Sequence, residues 1–242
     1  VSVQKSAGPA ELEARRNVGL AGAALVRSGM VVGLGTGSTA AYAIEELGRR
    51  VRDEKLAITG VPTSWSAAEL ARKAGIDVRA LNDVAGVDLA LDGADEVGPH
   101  LELIKGGGAA HTLEKIVATA AARFVVLVDG SKLVKRLGEK WPVPVEVLAV
   151  ALRPVERALA KLGAVVDVRK GGGKDGPVVT DHGNLVVDAK FGGIDDPAGL
   201  ARALDSIPGV VEHGLFVGLA DEALVGSAGA GVRTIQGVRT VR

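Results

Sequence analysis

The sequence predicts an α/β fold: a parallel sheet covered by helices on both faces, joined to a second, smaller α+β domain. Three observations carry this prediction. Short, continuous apolar runs alternate with amphipathic stretches through the first half of the chain, as strands buried between two helical layers require. Pro142 and Pro144 then break that pattern, and the segment after them reads strand, helix, strand, strand, helix, strand, which is the ferredoxin-like order. Hydrophobic residues make up 47 % of the 242 and charged residues 24 %, a globular balance that permits a sizeable core. With aromatics at only 2 %, that core is built from Val, Leu, Ile and Ala.

The elements follow in order. Residues 11–27 read as a helix, with Leu12, Val18, Leu25 and Val26 as core positions. Residues 30–34 form a short strand run, followed by a glycine-rich turn and a helix over 39–50. A strand over 57–61 leads to a helix over 64–74, closed by Gly75. Further strands are expected at 76–80, 87–91 and 124–128, with a helix over 111–122 between the last two. Beyond the prolines the expected elements are strand 145–150, helix 153–162, strand 164–169, strand 184–190, helix 197–206 and strand 210–213. The apolar segments 215–219 and 223–225 are expected to return to the parallel sheet. The division is then 1–138 with 214–242 as the parallel-sheet domain and 139–213 as the ferredoxin-like one.

Composition excludes several classes. Lys plus Arg equals Asp plus Glu at 29 each, so the basic surplus of a nucleic-acid binder is missing. No Cys is present, which removes disulfides, thiolate metal sites and Cys nucleophiles and fits a reducing cytoplasm. No apolar run approaches the ~18 residues of a membrane span. Residues 1–9 are small and polar and read as a disordered lead-in, not a signal peptide.

Three motifs carry chemistry. Gly33-Leu34-Gly35-Thr36-Gly37-Ser38-Thr39 follows a strand and opens a helix. Free N–H groups and the helix dipole attract an anion there, and glycine lets a phosphate come close. Ser38 and Thr39 add hydroxyl donors; the alternative is a plain tight turn. A dinucleotide fingerprint would need Gly in place of Ser38 and a carboxylate after the second strand, where Val61-Pro62-Thr63-Ser64 stands instead. A P-loop string is also missing. The loop therefore suits a monophosphate or a sugar.

Asp92-Gly93-Ala94-Asp95-Glu96 comes next, at the carboxyl end of a buried strand, where ligands of open α/β sheets gather. A solvated turn with Asp capping is the plainer reading. Mg²⁺ binding is another, but no metal is expected. Lys105-Gly106-Gly107-Gly108-Ala109-Ala110 frees backbone N–H groups to face a ligand and sets a cation among anions. It leads into the helix of Glu114, whose plainer reading is a first-turn acid complementing the dipole. Lys132, after a strand, reaches the same edge or is a surface lysine. His100, His111, His182 and His213 are scattered without ligand spacing and read as surface or turn residues; His111 opens the Glu114 helix. Gly171-Gly172-Gly173-Lys174 joins two strands and reads as a hairpin loop.

Taken together, Gly35-Thr36-Gly37-Ser38-Thr39, Asp92-Gly93-Ala94-Asp95-Glu96, Lys105-Gly106-Gly107-Gly108-Ala109 and Glu114-Lys115-Ile116-Val117 closely resemble the A-type ribose-5-phosphate isomerases. Pro144-Val145-Glu146-Val147, Val179-Thr180-Asp181 and Ile207-Pro208-Gly209-Val210-Val211 extend the likeness from about Glu11 to Gln236. Each string is weak alone; their order is specific. The resemblance implies a Rossmann-like domain plus a ferredoxin-like one, no cofactor, and a homodimer or homotetramer. It makes Glu114 the general base and Asp92, Asp95 and Lys105 the polar catalytic group. Thr36, Gly37, Ser38, Thr39, Gly93, Ala94, Gly106, Gly107, Gly108 and Lys132 become substrate contacts. Two departures stand out: Arg15-Arg16 where several relatives carry Lys, and His111-Thr112-Leu113 where Leu-Thr-Arg is common.

The implied chemistry is proton transfer between adjacent carbons of a sugar phosphate through an enediolate, with Lys105 and backbone N–H groups stabilising the oxyanion. Two other readings stand beside it: a sugar-phosphate deaminase or lactonase, and a sugar-phosphate sensor domain. A sensor needs the loop but not Lys105 and Glu114. It also needs a DNA-binding segment, for which the roughly ten residues before the first helix are too few.

Overall fold

The structure, a computed structural model, describes residues 8–173, 175–229 and 231–240. Most of the expected lead-in and Lys174 of the glycine cluster lie outside the described residues. The chain runs α1 (Pro9–Ala24), β1 (Val31–Leu34), α2 (Ser38–Asp53), β2 (Thr59–Pro62), α3 (Trp65–Lys73), β3 (Asp77–Val78), β4 (Val87–Asp92), β5 (Glu96–Val97) and β6 (Leu103–Ile104). It continues α4 (His111–Ala120), β7 (Ala121–Asp129), β8 (Val143–Val147), α5 (Leu152–Lys161), β9 (Val165–Val168), β10 (Leu185–Lys190), α6 (Pro197–Asp205), β11 (Val210–His213), β12 (Leu215–Phe216), β13 (Glu222–Ser227) and β14 (Gly231–Gln236). Among the described residues no helix is long and apolar enough to cross a membrane.

Two compact units divide these elements. Of the described residues, one holds 8–94, 113–132 and those from 218 to 240; the other holds those of 95–112 and 133–217. The expected small domain, 139–213, lies inside the second unit, which also takes stretches the sequence had assigned to the parallel-sheet domain. The reason is local. β5, β6 and β12 pair with one another as a separate three-stranded antiparallel sheet, so Leu215 and Phe216 do not return to the large sheet.

The first unit is a seven-stranded sheet in the order β14-β13-β7-β4-β1-β2-β3. All neighbours are parallel except the β13–β14 hairpin at one edge. From β1 the chain winds outward through β2 and β3, then returns to the other side of β1 with β4, β7 and β13. The carboxyl ends of β1 and β4 therefore flank a switch point, the crevice where such sheets bind ligands. Val32, Leu34, Leu89, Leu91, Val125 and Leu127 fill the core with Ile44 and Leu47 of α2 and Val18 of α1.

Helix α1 departs from expectation in one respect. It buries the small stripe Ala14, Val18, Gly19, Gly22 and Ala23, and Leu12 is 43 % exposed. A Cβ on Gly19 would press on Tyr42 of α2, and one on Gly22 would press on Leu127. Small residues on this face let the helix lie close, and Leu12 falls on the opposite side.

The second unit carries the four-stranded antiparallel sheet β11-β8-β10-β9. With α5 packing on β9 and β10 and α6 on β11, this is the expected βαββαβ arrangement. Its core gathers Val143, Val145, Val147, Val155, Leu159, Val187 and Leu204. The cluster Gly171–Gly173 lies in the connection between the antiparallel partners β9 and β10, with Lys170 bridged to Pro177, as a hairpin requires.

Candidate active site

In the parallel unit the Gly35–Thr39 loop meets Asp92 at the switch point. Gly35 N–H closes on Leu91 O at 2.9 Å, carrying the chain directly past the end of β4. A Cβ at Gly35 would collide with the Asp92 carboxylate and backbone, so only glycine fits. Asp92, 3 % exposed, accepts the N–H of Thr36 at 3.1 Å and of Gly93 at 2.7 Å, both on Oδ1. Thr36 Oγ1 lies 2.8 Å from Thr63 Oγ1 and donates to Ser64 Oγ at 2.7 Å. Thr63 Oγ1 donates in turn to Leu34 O at 3.1 Å. Three hydroxyls from two strand ends thus fix the loop. Sequence reading passed over Thr63 and Ser64, noting only that no carboxylate stood there; a hydroxyl pair directly after a parallel strand was the available signal.

Gly37 caps α2 at φ 107°, a left-handed conformation that favours glycine. Gly37 offers no capping side chain, and Ser38 and Thr39 open the helix at this edge. Arg15 of α1 reaches the same place. Its Nη1 donates to Ser38 Oγ at 2.9 Å, its Nε to Asp129 Oδ2 at 3.2 Å, and it also pairs with Glu11. Of the adjacent arginines, Arg15 is the one turned into the site; Arg16 is exposed. Asp129 ends β7 and accepts the N–H of Ser131 at 2.8 Å, in the short turn Gly130–Lys132. Lys132, half-buried, closes that turn. Burial works to raise the Asp129 carboxyl, but the Ser131 hydroxyl and N–H and the Arg15 guanidinium outweigh it and hold the group below its ordinary value.

Helix α4 joins two parallel strands, β4 and β7, so its first turn opens at the carboxyl edge of the sheet. Glu114 sits in that first turn and is 5 % exposed. One turn on, Val117 packs on β1 so closely that a Cβ at Gly33 would come within 2.7 Å of it. Glu114, on the same helix face three residues earlier, therefore lies toward the Gly35 end of β1. A first-turn acid serving only the dipole has no need of such burial.

The second unit holds the other predicted residues. β5 pairs with β6 in the register Glu96↔Ile104 and Val97↔Leu103. Asp95 directly precedes β5 and Lys105 directly follows β6. Asp95 N–H donates to Ile104 O at 2.8 Å, and Lys105 N–H to Gly214 O at 2.9 Å. Lys105 is 2 % exposed, with Nζ 5.5 Å from the centre of the Phe216 ring. Gly107 N–H donates to Asp95 Oδ2 at 2.7 Å. His111 is fully buried, correcting its reading as a surface residue. Its ring fills the space a side chain on Gly106 would need, with Nδ1 2.6 Å from a Cβ built there.

Other polar groups of the motifs are structural. Glu96, also fully buried, accepts the N–H groups of Gly138, Lys140 and Trp141; it anchors a loop. Glu146 accepts from Thr112, Thr180 and Asn184. His213 is buried too, contrary to expectation. Among the described residues the one His and carboxylate grouping close enough for a metal is Asp205, Glu212 and His213. His213 Nδ1 accepts the N–H of Leu215 at 3.2 Å, so Nε2 carries the proton and donates to Asp205 at 3.1 Å. That tautomer ties the two strands β11 and β12 together and leaves no Nε2 lone pair for an ion.

Known proteins are similar to this chain in sequence and fold. The family described as ribose 5-phosphate isomerase A (phosphoriboisomerase A) matches residues 59–230. The ribose-5-phosphate isomerase A of Methanothermobacter thermautotrophicus is 59 % identical over 203 residues, covering 84 % of this chain and 89 % of its own. The solved structure of ribose 5-phosphate isomerase A from Methanocaldococcus jannaschii superposes with a TM-score of 0.88 at 50 % identity, covering 92 % of this chain and 97 % of that one. A D-ribose-5-phosphate isomerase in complex with phospho-erythronic acid gives 0.90 at 44 % identity, covering 93 % and 98 %. With the family match spanning well over half its length, the chain belongs to the ribose 5-phosphate isomerase A family of isomerases.

Proposed function

We propose that this protein interconverts D-ribose 5-phosphate and D-ribulose 5-phosphate through an enediolate, with Glu114 as the base. The observation that carries the reading is Glu114 itself: a buried carboxylate in the first turn of α4, on the side of β1 where the glycine-rich loop begins. A relative's complex with a phosphorylated sugar acid supports it, because a carboxylate presents two oxygens much as an enediolate does.

In this reading the phosphate rests on the first-turn amides of α2 with Ser38 and Thr39, and Lys132 and Arg15 supply positive charge. Glu114 removes the C2 proton of the open-chain aldose and returns it at C1. The proton lost from the C2 hydroxyl is matched by one gained on the C1 oxygen, so the step is balanced without a redox partner. Lys105 stabilises the negative oxygen of the enediolate, with N–H groups of Gly106–Gly108 beside it. Asp92 or Asp95 shuttles the hydroxyl proton, and Gly93 and Ala94 line the substrate between them. The same reading makes the protein a cytoplasmic homo-oligomer, dimer or tetramer, of the pentose phosphate pathway, with no cofactor, nucleic-acid partner or membrane partner.

The test is direct. Incubation with ribose 5-phosphate should yield the ketose phosphate, with exchange of solvent deuterium into the sugar. No ketose, or equal turnover of unphosphorylated ribose, would overturn the proposal.

A further inference from the structure

We infer that Arg169 is a positioning residue for the reaction, acting through the glycine loop Gly106–Gly108. Arg169 directly follows β9 in the βαββαβ segment, about sixty residues from that loop in sequence. Its Nη1 donates to Gly106 O at 2.7 Å and to Gly107 O at 3.2 Å. Its Nε donates to Asp188 Oδ2 at 2.9 Å, and Nη2 pairs with the other Asp188 oxygen. Asp188 stands on β10, opposite Asp167 of β9. The guanidinium is thus gripped on one side by a carboxylate on a sheet strand and spends its free edge on two consecutive backbone carbonyls.

The geometry of the peptide bond gives that grip its meaning. In a trans peptide the C=O and the following N–H point in opposite directions. Gly106 O shares its peptide with Gly107 N–H, and Gly107 O shares its peptide with Gly108 N–H. Arg169 draws both carbonyls to one side, so both N–H groups face the other. Gly107 N–H is found there, 2.7 Å from Asp95 Oδ2. Gly108 N–H is turned the same way. Gly106 O also takes Ala109 N–H at 3.0 Å, closing a tight turn, and Ala109 adopts φ 60°. Successive N–H groups in such a turn form an anion-binding nest. A carbonyl held by a cation polarises its amide further, which makes each N–H a better donor. Gly107 must lack a side chain for this, since a Cβ would approach Asp95 Oδ1 to 2.8 Å.

Arg169 therefore aims Gly108 N–H at the oxygen that becomes negative in the enediolate, and holds Asp95 in place through Gly107. Lysine replaces it only in part: a single ammonium lacks the planar fork that serves a carboxylate and two carbonyls together.

This rests on the reading of Lys105 to Gly108 as part of the substrate-binding machinery, and Lys105→Ala tests that reading separately. The experiment measures kcat and KM for ribose 5-phosphate in Arg169→Ala, Arg169→Lys, Asp188→Asn and Lys105→Ala. The expected result is a kcat loss of about 10²-fold in Arg169→Ala with KM little changed, because the lost aim matters in the transition state. Smaller losses are expected in Arg169→Lys and Asp188→Asn. Guanidinium ion at sub-denaturing concentration should restore part of the activity of Arg169→Ala and none of Lys105→Ala. A purely structural Arg169 would lower thermal stability, leave kcat per folded molecule intact, and show no rescue; that result overturns the inference. If Arg169→Ala does not fold, the kcat and KM of Arg169→Lys decide alone: unchanged values overturn it. If Lys105→Ala is fully active, the substrate role of the loop falls, and this inference with it.

Discussion

Arg15 and Asp129 form a partly buried ion pair, Nε to Oδ2 at 3.2 Å, that joins helix α1 to the end of strand β7. The same guanidinium holds Ser38. Because Ser131 and Arg15 hold the Asp129 carboxyl below its ordinary value of 3.8 in the folded protein, the carboxylate with these partners contributes stability that is complete above that value. It is lost as pH falls through the depressed folded value. Urea unfolding across the acid range should therefore show stability falling with pH, and Asp129→Asn should flatten that part of the curve. An unchanged slope in Asp129→Asn would show that titration of this carboxylate is not coupled to folding.

Glu114→Gln keeps size and hydrogen bonding but cannot accept a proton from carbon. We expect kcat to fall by about 10²–10⁴-fold or more, with KM little changed. If Glu114 served only the helix dipole, the change would cost about 0.3–1 kcal/mol of stability and leave turnover nearly intact. Steady-state kinetics with a thermal melt separates the two. Near-normal kcat would send the search for the base to Asp92 and Asp95.

Thr39→Ala removes a hydroxyl from the first turn of α2 while leaving its amides. The expected outcome is a higher KM for the phosphorylated substrate and a weaker effect of inorganic phosphate as a competitive inhibitor. Inhibition assays on the variant check this, and unchanged values for both would move the phosphate elsewhere.

Gly35→Ala places a methyl group against the Asp92 carboxylate. Overpacking of this kind costs about 1–3 kcal/mol, and the displaced Asp92 loses the Thr36 and Gly93 amides. Stability and kcat should fall together, measured by urea unfolding and turnover. A variant of wild-type stability would mean the loop relaxes freely.

Glu96→Ala deprives three backbone amides of their acceptor. A buried group left unpaired costs about 1–3 kcal/mol, so chemical denaturation should show a loss of at least that size. The kcat of the remaining folded protein should change far less than in Glu114→Gln. Glu96 differs in this from the two aspartates of its own motif.

Much of this was legible in the sequence because the signals were long. Strand 124–128 is a continuous apolar run, 87–91 is apolar but for Asp88, and the βαββαβ order after Pro144 emerges with the four-stranded antiparallel sheet it implies. The glycine-rich loop, Asp92 and Glu114 lie at strand ends and a helix start, where local spacing reports position. What stayed hidden depends on distant partners. β5, β6 and β12 are two residues each, too short for any periodicity, so the small sheet that Asp95 and Lys105 flank left no trace. Glu96 looks like its neighbouring carboxylates until Gly138, Lys140 and Trp141 arrive from forty residues away. Arg169 was unreadable for the same reason. The burial of His111 follows from the bare Gly106 beneath it, which no residue pattern announces.

One carboxylate, Glu146, accepts the hydroxyls of Thr112 and Thr180 and the amide of Asn184. The start of helix α4 and the turn before β10 consequently cannot fray independently: releasing either leaves a buried charge short of a donor. In native-state hydrogen exchange such segments behave as one cooperative unit with a common opening free energy. The amides around Thr180–Asn184 should then exchange at the pace of the first turn of α4, far more slowly than the nearby glycines 171–173. A surface hairpin thereby becomes a reporter, by mass spectrometry, of how often the helix bearing Glu114 comes undone.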